Sequence, residues 1–310
     1  MAFLRSRPAS ATRSDASGRP ELFDEAFQKR LALLSLVTRR ISRGLQRAER
    51  RSVTTGAGIE FADHRVYSAG DDYRHIDWNA YARVGRLLVR VYEQPADLTV
   101  HLLLDHSASM GFGQPAKLDY AKQLVAALAY VGLRELDRVA ITAFSGRELR
   151  HRAPARGRHN IFGIFDFLNA LPATGTTDLG GAMQTFVGQR RARGMAILVS
   201  DLYDPAGFEQ AIDALRYARF ETHVLQVVDA AEWQPDFRGD LELYDAETSE
   251  TRIVTITPNL IARYTAARRA AQERLRAYCA AKHVSLFTLQ TSVKAEDALL
   301  RVLRPGGMLR

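Results

Sequence analysis

The chain has 310 residues, of which 46% are hydrophobic and 25% charged, enough to bury one large core or two modest ones. It contains no apolar run of 18 residues, which excludes a hydrophobic membrane-spanning helix, and its single cysteine, Cys279, excludes an internal disulfide. The net charge of +8 is concentrated in residues 1–56, with 12 Lys/Arg against 5 Asp/Glu, so the rest of the chain is close to neutral.

Residues 1–20 are rich in Ser, Arg, Ala, Pro and Gly and predict a disordered tail. This opening segment has no apolar signal core, and a cytoplasmic protein is expected. Over residues 21–50, Leu22, Phe23, Phe27, Leu31, Leu34, Val37, Ile41 and Leu45 recur at three and four residues. That spacing predicts an amphipathic helix with a basic opposite face. Such a helix can pack on the body or a partner, and peripheral membrane contact is the alternative.

Residues 51–96 mix Gly turns, aromatics, Asp and Arg, and read as a small β-rich subdomain. Asp71, Asp72, Asp77, Arg65, Arg74 and Arg83 suit bidentate ion pairing that holds loops together. A catalytic cluster is the other reading of the same residues.

From residue 97 to 304, short apolar runs alternate with helical spacing. LTVHLLL before Asp105, VAITAF after Asp137-Arg138, GMAILVS before Asp201, Glu221–Val228 and Val284–Leu289 read as buried strands. Arg147–Arg152 reads as a short edge strand. Ala116–Leu133, Ile161–Leu171, Gly181–Arg190, Pro205–Arg219, Asn259–Lys282 and Ala295–Leu303 read as helices. Residues 230–257 read as a hairpin insertion, with strand-like runs on either side of Glu247-Thr248-Ser249-Glu250. The expected fold class is therefore α/β, a doubly wound and mostly parallel sheet. Cys279, on a late helix, is expected to be a buried small hydrophobe.

The chemistry concentrates where strands end. Asp105, Ser107 and Ser109 set one carboxylate and two hydroxyls at alternate positions just past a buried strand. Thr176 and Thr177 precede a helix, and Asp201 closes another strand. In open α/β sheets ligands sit beyond the carboxyl ends of the strands. If the three loops share that edge, Asp105, Ser107, Ser109, Thr177 and Asp201 form a cage of hard oxygen donors. Such a cage suits Mg²⁺, with Mn²⁺ or Ca²⁺ as alternatives. The competing view is that Asp105, Ser107 and Ser109 only cap the next helix.

LLLDHSASM, TGTTDL and LVSDL resemble the three metal-site loops of a von Willebrand factor A domain. GAGIEFADHRVYSAGDDYRHIDWNAYAR resembles the signature of the bacterial family known as domain of unknown function fifty-eight. The resemblance runs from about Gly56 to the C-terminus. It implies that Asp105, Ser107, Ser109 and Thr177 ligate a metal directly or nearly so, and that Asp201 acts through water. It also implies a MoxR-type AAA+ ATPase as partner. Two features depart from the pattern: many relatives carry N-terminal transmembrane helices, and Leu202 stands where von Willebrand domains commonly have glycine.

The expected function is a non-enzymatic adaptor that takes an acidic side chain of a client protein at the metal. It would work with the MoxR-type ATPase in remodelling or maturing a target. The chain has no Gly-Lys dipeptide, so it lacks a P-loop and is not that ATPase. A Mg²⁺-dependent phosphohydrolase is a second reading, because a strand-terminal Asp beside a dication also serves phosphoryl transfer. Against it, Ser107 stands where a second acid is needed, and Lys117, the nearest lysine, is not expected to reach either loop. Nucleic-acid binding through the basic arm is a third reading. It is not the expected one, because no aromatics interleave with the arginines.

Overall fold

The computed structural model describes residues 22–32, 55–56, 60–68, 71–93, 99–134, 137–189, 192, 194–233, 235 and 239–302. The predicted tail at 1–20, most of the basic arm and the predicted helix beyond residue 32 lie outside the described residues. The chain divides into two compact units: Ser42–Asp97, and Met1–Ile41 together with Leu98–Arg310.

Residues 25–32 form the described part of helix α1, which belongs to the larger unit. Asp24 caps its start, its carboxylate accepting from the Phe27 amide at 2.6 Å. Phe23, Phe27 and Leu31 are buried, as their spacing on one helical stripe requires. The Phe23 ring stacks on Phe165 with centroids 4.5 Å apart.

The smaller unit holds strands β1 (Thr55–Gly56) and β2 (Glu60–Val66), helix α2 (Trp78–Val84) and strand β3 (Leu88–Glu93). The strands form an antiparallel sheet in the order β1-β3-β2. Asp71 pairs with Arg65 at 2.6 Å, and Asp72 caps a 3₁₀ turn at Tyr73–His75. Asp77 caps α2, accepting from the Asn79 and Ala80 amides at 3.0 Å. Its other oxygen meets Arg90 Nε and His64 Nε2, each at 2.9 Å. The acidic residues thus close local turns and ion pairs.

The larger unit continues with β4 (Thr99–Asp105), α3 (Lys117–Arg134), β5 (Arg138–Ser145) and β6 (Glu148–Ala155). Then come α4 (Ile161–Asn169), α5 (Leu179–Gly188), β7 (Gly194–Ser200), α6 (Glu209–Tyr217) and β8 (Glu221–Val228). Next are α7 (Ala230–Trp233) and the antiparallel hairpin of β9 (Gly239–Tyr244) and β10 (Thr251–Ile256). Last are α8 (Pro258–Ala281), β11 (Ser285–Gln290) and α9 (Ala295–Val302).

Six of these strands make one sheet, in the order β11-β8-β7-β4-β5-β6. All neighbours are parallel except β6, which runs antiparallel on β5. This is the doubly wound, mostly parallel α/β sheet expected from the sequence. Every residue of β4 is buried, because helices cover both faces. Successive side chains alternate between faces: Leu102 and Leu104 join the core under α3, α4 and α9, while Leu103 joins the core under α5, α6 and α8. Cys279 is buried in that second core. Among the described residues no helix is long and apolar enough to cross a membrane.

Candidate metal centre at the carboxyl edge of the sheet

Parallel pairing of β4 with β7 sets the first and third loops side by side. Leu104 pairs with Val199, so Asp105 lies next to Ser200, and the Ser200 hydroxyl donates to Asp105 Oδ2 at 2.6 Å. Asp105 Oδ1 accepts from the Ser107 amide at 2.9 Å, which turns the chain sharply away from the strand. A 3₁₀ turn follows at Ala108–Gly111, and the Ser107 side chain makes no capping bond to it. The Ser107 and Ser109 hydroxyls instead lie 3.1 Å apart. Asp105, Ser107 and Ser109 are at most 1% exposed.

The second loop is laced to the first by main-chain bonds. The Thr174 amide donates to His106 O at 2.9 Å and the Ala108 amide to Gly175 O at 3.0 Å. The buried His106 ring meets Pro172 O at 3.0 Å, so it serves to anchor the loops. Gly175 has φ +79°, and a Cβ there would run into Ser145 Oγ. Only glycine fits that left-handed close approach. Ser145 Oγ donates to Thr174 O at 2.6 Å and fixes the loop from the β5 side. Asp178 then caps α5 through the Gly181 amide at 2.7 Å. The third loop is tied to the second by the Leu179 amide, which donates to Asp204 Oδ2 at 2.6 Å. Asp105, Ser107, Ser109, Thr177 and Asp201 therefore all lie on loops joined at one edge of the sheet.

Thr177 and Asp201 are each engaged by a charged side chain from another part of the chain. The Thr177 hydroxyl donates to Glu247 Oε1 at 2.6 Å, and its amide donates to Glu247 Oε2 at 3.0 Å. Asp201 Oδ2 accepts from Lys117 Nζ at 2.6 Å, and Asp201 Oδ1 accepts from the Tyr203 amide at 3.0 Å. The expectation that Lys117 stays clear of the loops is corrected here. It is the first residue of α3 and its side chain enters the sheet edge, fully buried, with a second bond of 2.7 Å to Glu232 Oε1. Glu232 also accepts from Tyr203 Oη at 3.3 Å and lies 3.7 Å from Arg268. Arg268 stacks over the Tyr203 and Trp233 rings.

The electrostatics follow from this packing. Burial, together with the neighbouring Asp201 charge, pushes the Asp105 carboxyl up to about 7. Burial opposes the charge on Lys117, yet the Asp201 and Glu232 carboxylates outweigh it and hold the ammonium above its usual range. Burial pushes Arg268 down to about 10.

The residues at Asp105, Ser107, Ser109 and Thr177 fit a small dication by donor chemistry: one carboxylate and three hydroxyls, with a buried carboxyl short of positive charge. Asp201 already meets the positive charge of Lys117 Nζ, so it fits only an indirect role. Among the described residues no group of three or more His, Cys, Asp or Glu side chains is placed to hold a metal.

Leu202 has φ +61°, a left-handed conformation that costs a non-glycine residue roughly 1–2 kcal/mol. Its side chain is buried in the α5–α6 core, which offsets that cost. This is how leucine is accommodated in a left-handed conformation.

Ser200, Lys117, Glu232, Arg268 and Glu247 were not singled out as site residues from the sequence. Lys117 carried a signal. It occupies the same helical stripe as Ala121, Leu124 and Leu128, all buried, and a lysine on an apolar stripe demands a partner. Glu232 and Glu247 sit in the insertion and carry no local sign of what they meet.

Similar proteins were found at three levels. The uncharacterized protein Rv1480 of Mycobacterium tuberculosis is 30% identical over 279 residues, covering 87% of each chain. The uncharacterized protein MAV169 of Mycobacterium avium is 33% identical over 144 residues, 44% of this chain and 85% of that one. Among solved structures, the conserved hypothetical protein BatB from Bacteroides thetaiotaomicron gives a TM-score of 0.40 at 17% identity, over 66% of this chain and 96% of that one. The SpRpn10 VWA domain gives a TM-score of 0.41 at 10% identity, over 68% of this chain and 97% of that one. The family model described as "Protein of unknown function DUF58" matches residues 63–274, and the chain belongs to that family.

Proposed function

We propose that this protein is a non-enzymatic, metal-dependent adaptor. Asp105, Ser107, Ser109 and Thr177 would hold Mg²⁺, or Mn²⁺ or Ca²⁺ in its place, with Asp201 acting from outside the first ring of ligands. When bound, the cation supplies an electrophilic position that accepts an acidic side chain of a client protein. The chain's own residues set the donors in place and keep water from the carboxylates. The observation that carries this reading is the lacing of three separate loops into one edge, which leaves the Ser107 and Ser109 hydroxyls uncommitted to capping.

The proposed partner is a MoxR-type AAA+ ATPase, and the dependence of such a partner on ATP puts the working site in the cytoplasm. The phosphohydrolase reading gains little from the proximity of Lys117, because that ammonium is spent on Asp201 and Glu232. The test is capture of AAA+ proteins on the full chain, with Mg²⁺ and with EDTA, and with Asp105→Asn. The reading expects an AAA+ protein retained in Mg²⁺ and lost in the other two. Retention indifferent to both rejects metal-mediated contact.

A further inference from the structure

We propose that Glu247, at the tip of the β9–β10 hairpin, is a built-in carboxylate ligand of this centre, and that it competes with a client's acidic side chain for the place beside Thr177. The inference rests on the adaptor reading above and adds to it a self-occupied state.

Glu247 lies 70 residues from Thr177 in the chain, yet its two oxygens engage that residue's hydroxyl and amide together. A carboxylate that accepts two bonds from one residue is placed in direction as well as in distance. The turn that presents it is well made. Asp245 Oδ1 accepts from the Glu247 amide at 2.9 Å and from the Thr248 amide at 3.1 Å. The Ser249 amide closes on Asp245 O at 3.0 Å. The hairpin strands are paired along their whole length from Thr251↔Tyr244 to Ile256↔Gly239. A rigid stem thus carries one acidic side chain onto the one donor of the set that lies nearest the surface, Thr177, which is 9% exposed.

An acidic side chain from outside would approach past Thr177, because Asp105, Ser107 and Ser109 lie deeper. Glu247 therefore stands where the client's carboxylate would stand, and a client gains access by displacing the hairpin tip. Displacing Glu247 breaks its two hydrogen bonds to Thr177, and β9 and β10 are largely exposed.

The experiment uses the full chain as wild type, Glu247→Ala, Glu247→Gln and Asp105→Asn, with Mn²⁺ alone as the probe. Free Mn²⁺ is read by electron paramagnetic resonance during titration. Removing a carboxylate next to a cation weakens its binding by about ten- to a hundred-fold. The proposal expects that loss in Glu247→Ala and Glu247→Gln, and complete loss in Asp105→Asn. Wild-type affinity in both Glu247 variants, with loss only in Asp105→Asn, overturns the internal ligand and leaves the metal centre standing. Absence of saturable Mn²⁺ binding in wild type overturns both.

A second readout needs no metal. Hydrogen exchange in EDTA is expected to quicken at the Thr177 amide and at residues 245–250 in Glu247→Ala by about tenfold. Unchanged exchange there overturns the contact itself. Glu247 is only half-buried and Thr248–Glu250 are exposed, so both Glu247 variants are expected to fold as wild type.

Discussion

At the scale of single residues, the most consequential side chain is one that the loops do not advertise. Lys117 carries a charge with no exposed surface, and two carboxylates compensate it at 2.6 and 2.7 Å. Breaking a buried pair by removing one partner leaves the others uncompensated, at a cost of about 3–5 kcal/mol. Lys117→Met keeps the length and apolar stem of the side chain and removes only the ammonium. It is expected to destabilise the protein by about that amount in urea unfolding. A double variant with Asp201→Asn is expected to recover part of the loss, because it also removes one stranded charge. A loss below about 1 kcal/mol for the single variant would mean that Lys117 contributes nothing as a counter-ion.

The elements were legible where local rules decide them. The strands around Asp105 and Asp201 announce themselves as short apolar runs closed by a carboxylate, and a sheet covered on both faces demands such runs. Helix α2 was not read within the β-rich segment, although Asp77 stands immediately before it as Asp178 does before α5, where side-chain oxygens meet free amides. The pairing of Glu247 with Thr177, and of Glu232 with Lys117, was not legible. Each joins segments 70 or 115 residues apart through one side chain, and no periodicity encodes such a meeting.

Helix α2 gives a prediction at this scale. The Arg90 guanidinium, the His64 ring and the Ala80 amide hold the Asp77 carboxyl well below the usual carboxylate range. A group depressed in the folded state stabilises fully above its unfolded value of about 4, and that stabilisation fades as pH falls further. Melting of the smaller unit, followed by Trp78 fluorescence in a Trp233→Phe background, is therefore expected to weaken below about pH 4. Asp77→Asn is expected to be less stable at pH 7 and to flatten that acid limb. An unchanged acid limb would show that Asp77 titrates alike in both states.

At the scale of the whole molecule, two compact units imply two unfolding transitions, and the proposed metal ligands belong wholly to the larger one. A cation that binds the folded edge and not the unfolded chain stabilises by RT ln(1 + [L]/Kd), about 2.7 kcal/mol at a hundred times Kd. The unfolded chain would offer no competing site, because the proposed ligands lie on loops far apart in sequence. For a unit of this size each kcal/mol moves the midpoint by roughly 2–4 °C. Mg²⁺ at saturating concentration is therefore expected to raise the melting of the larger unit by about 5–10 °C in scanning calorimetry. The transition of the smaller unit should stay where it is. EDTA should reverse the shift, and Asp105→Asn should abolish it, since that carboxylate is the one charged donor that the sheet-edge loops would supply directly. A shift that survives Asp105→Asn, or that moves both transitions equally, would assign the effect to general ionic screening of the basic chain, and the centre at the sheet edge would lose its cation.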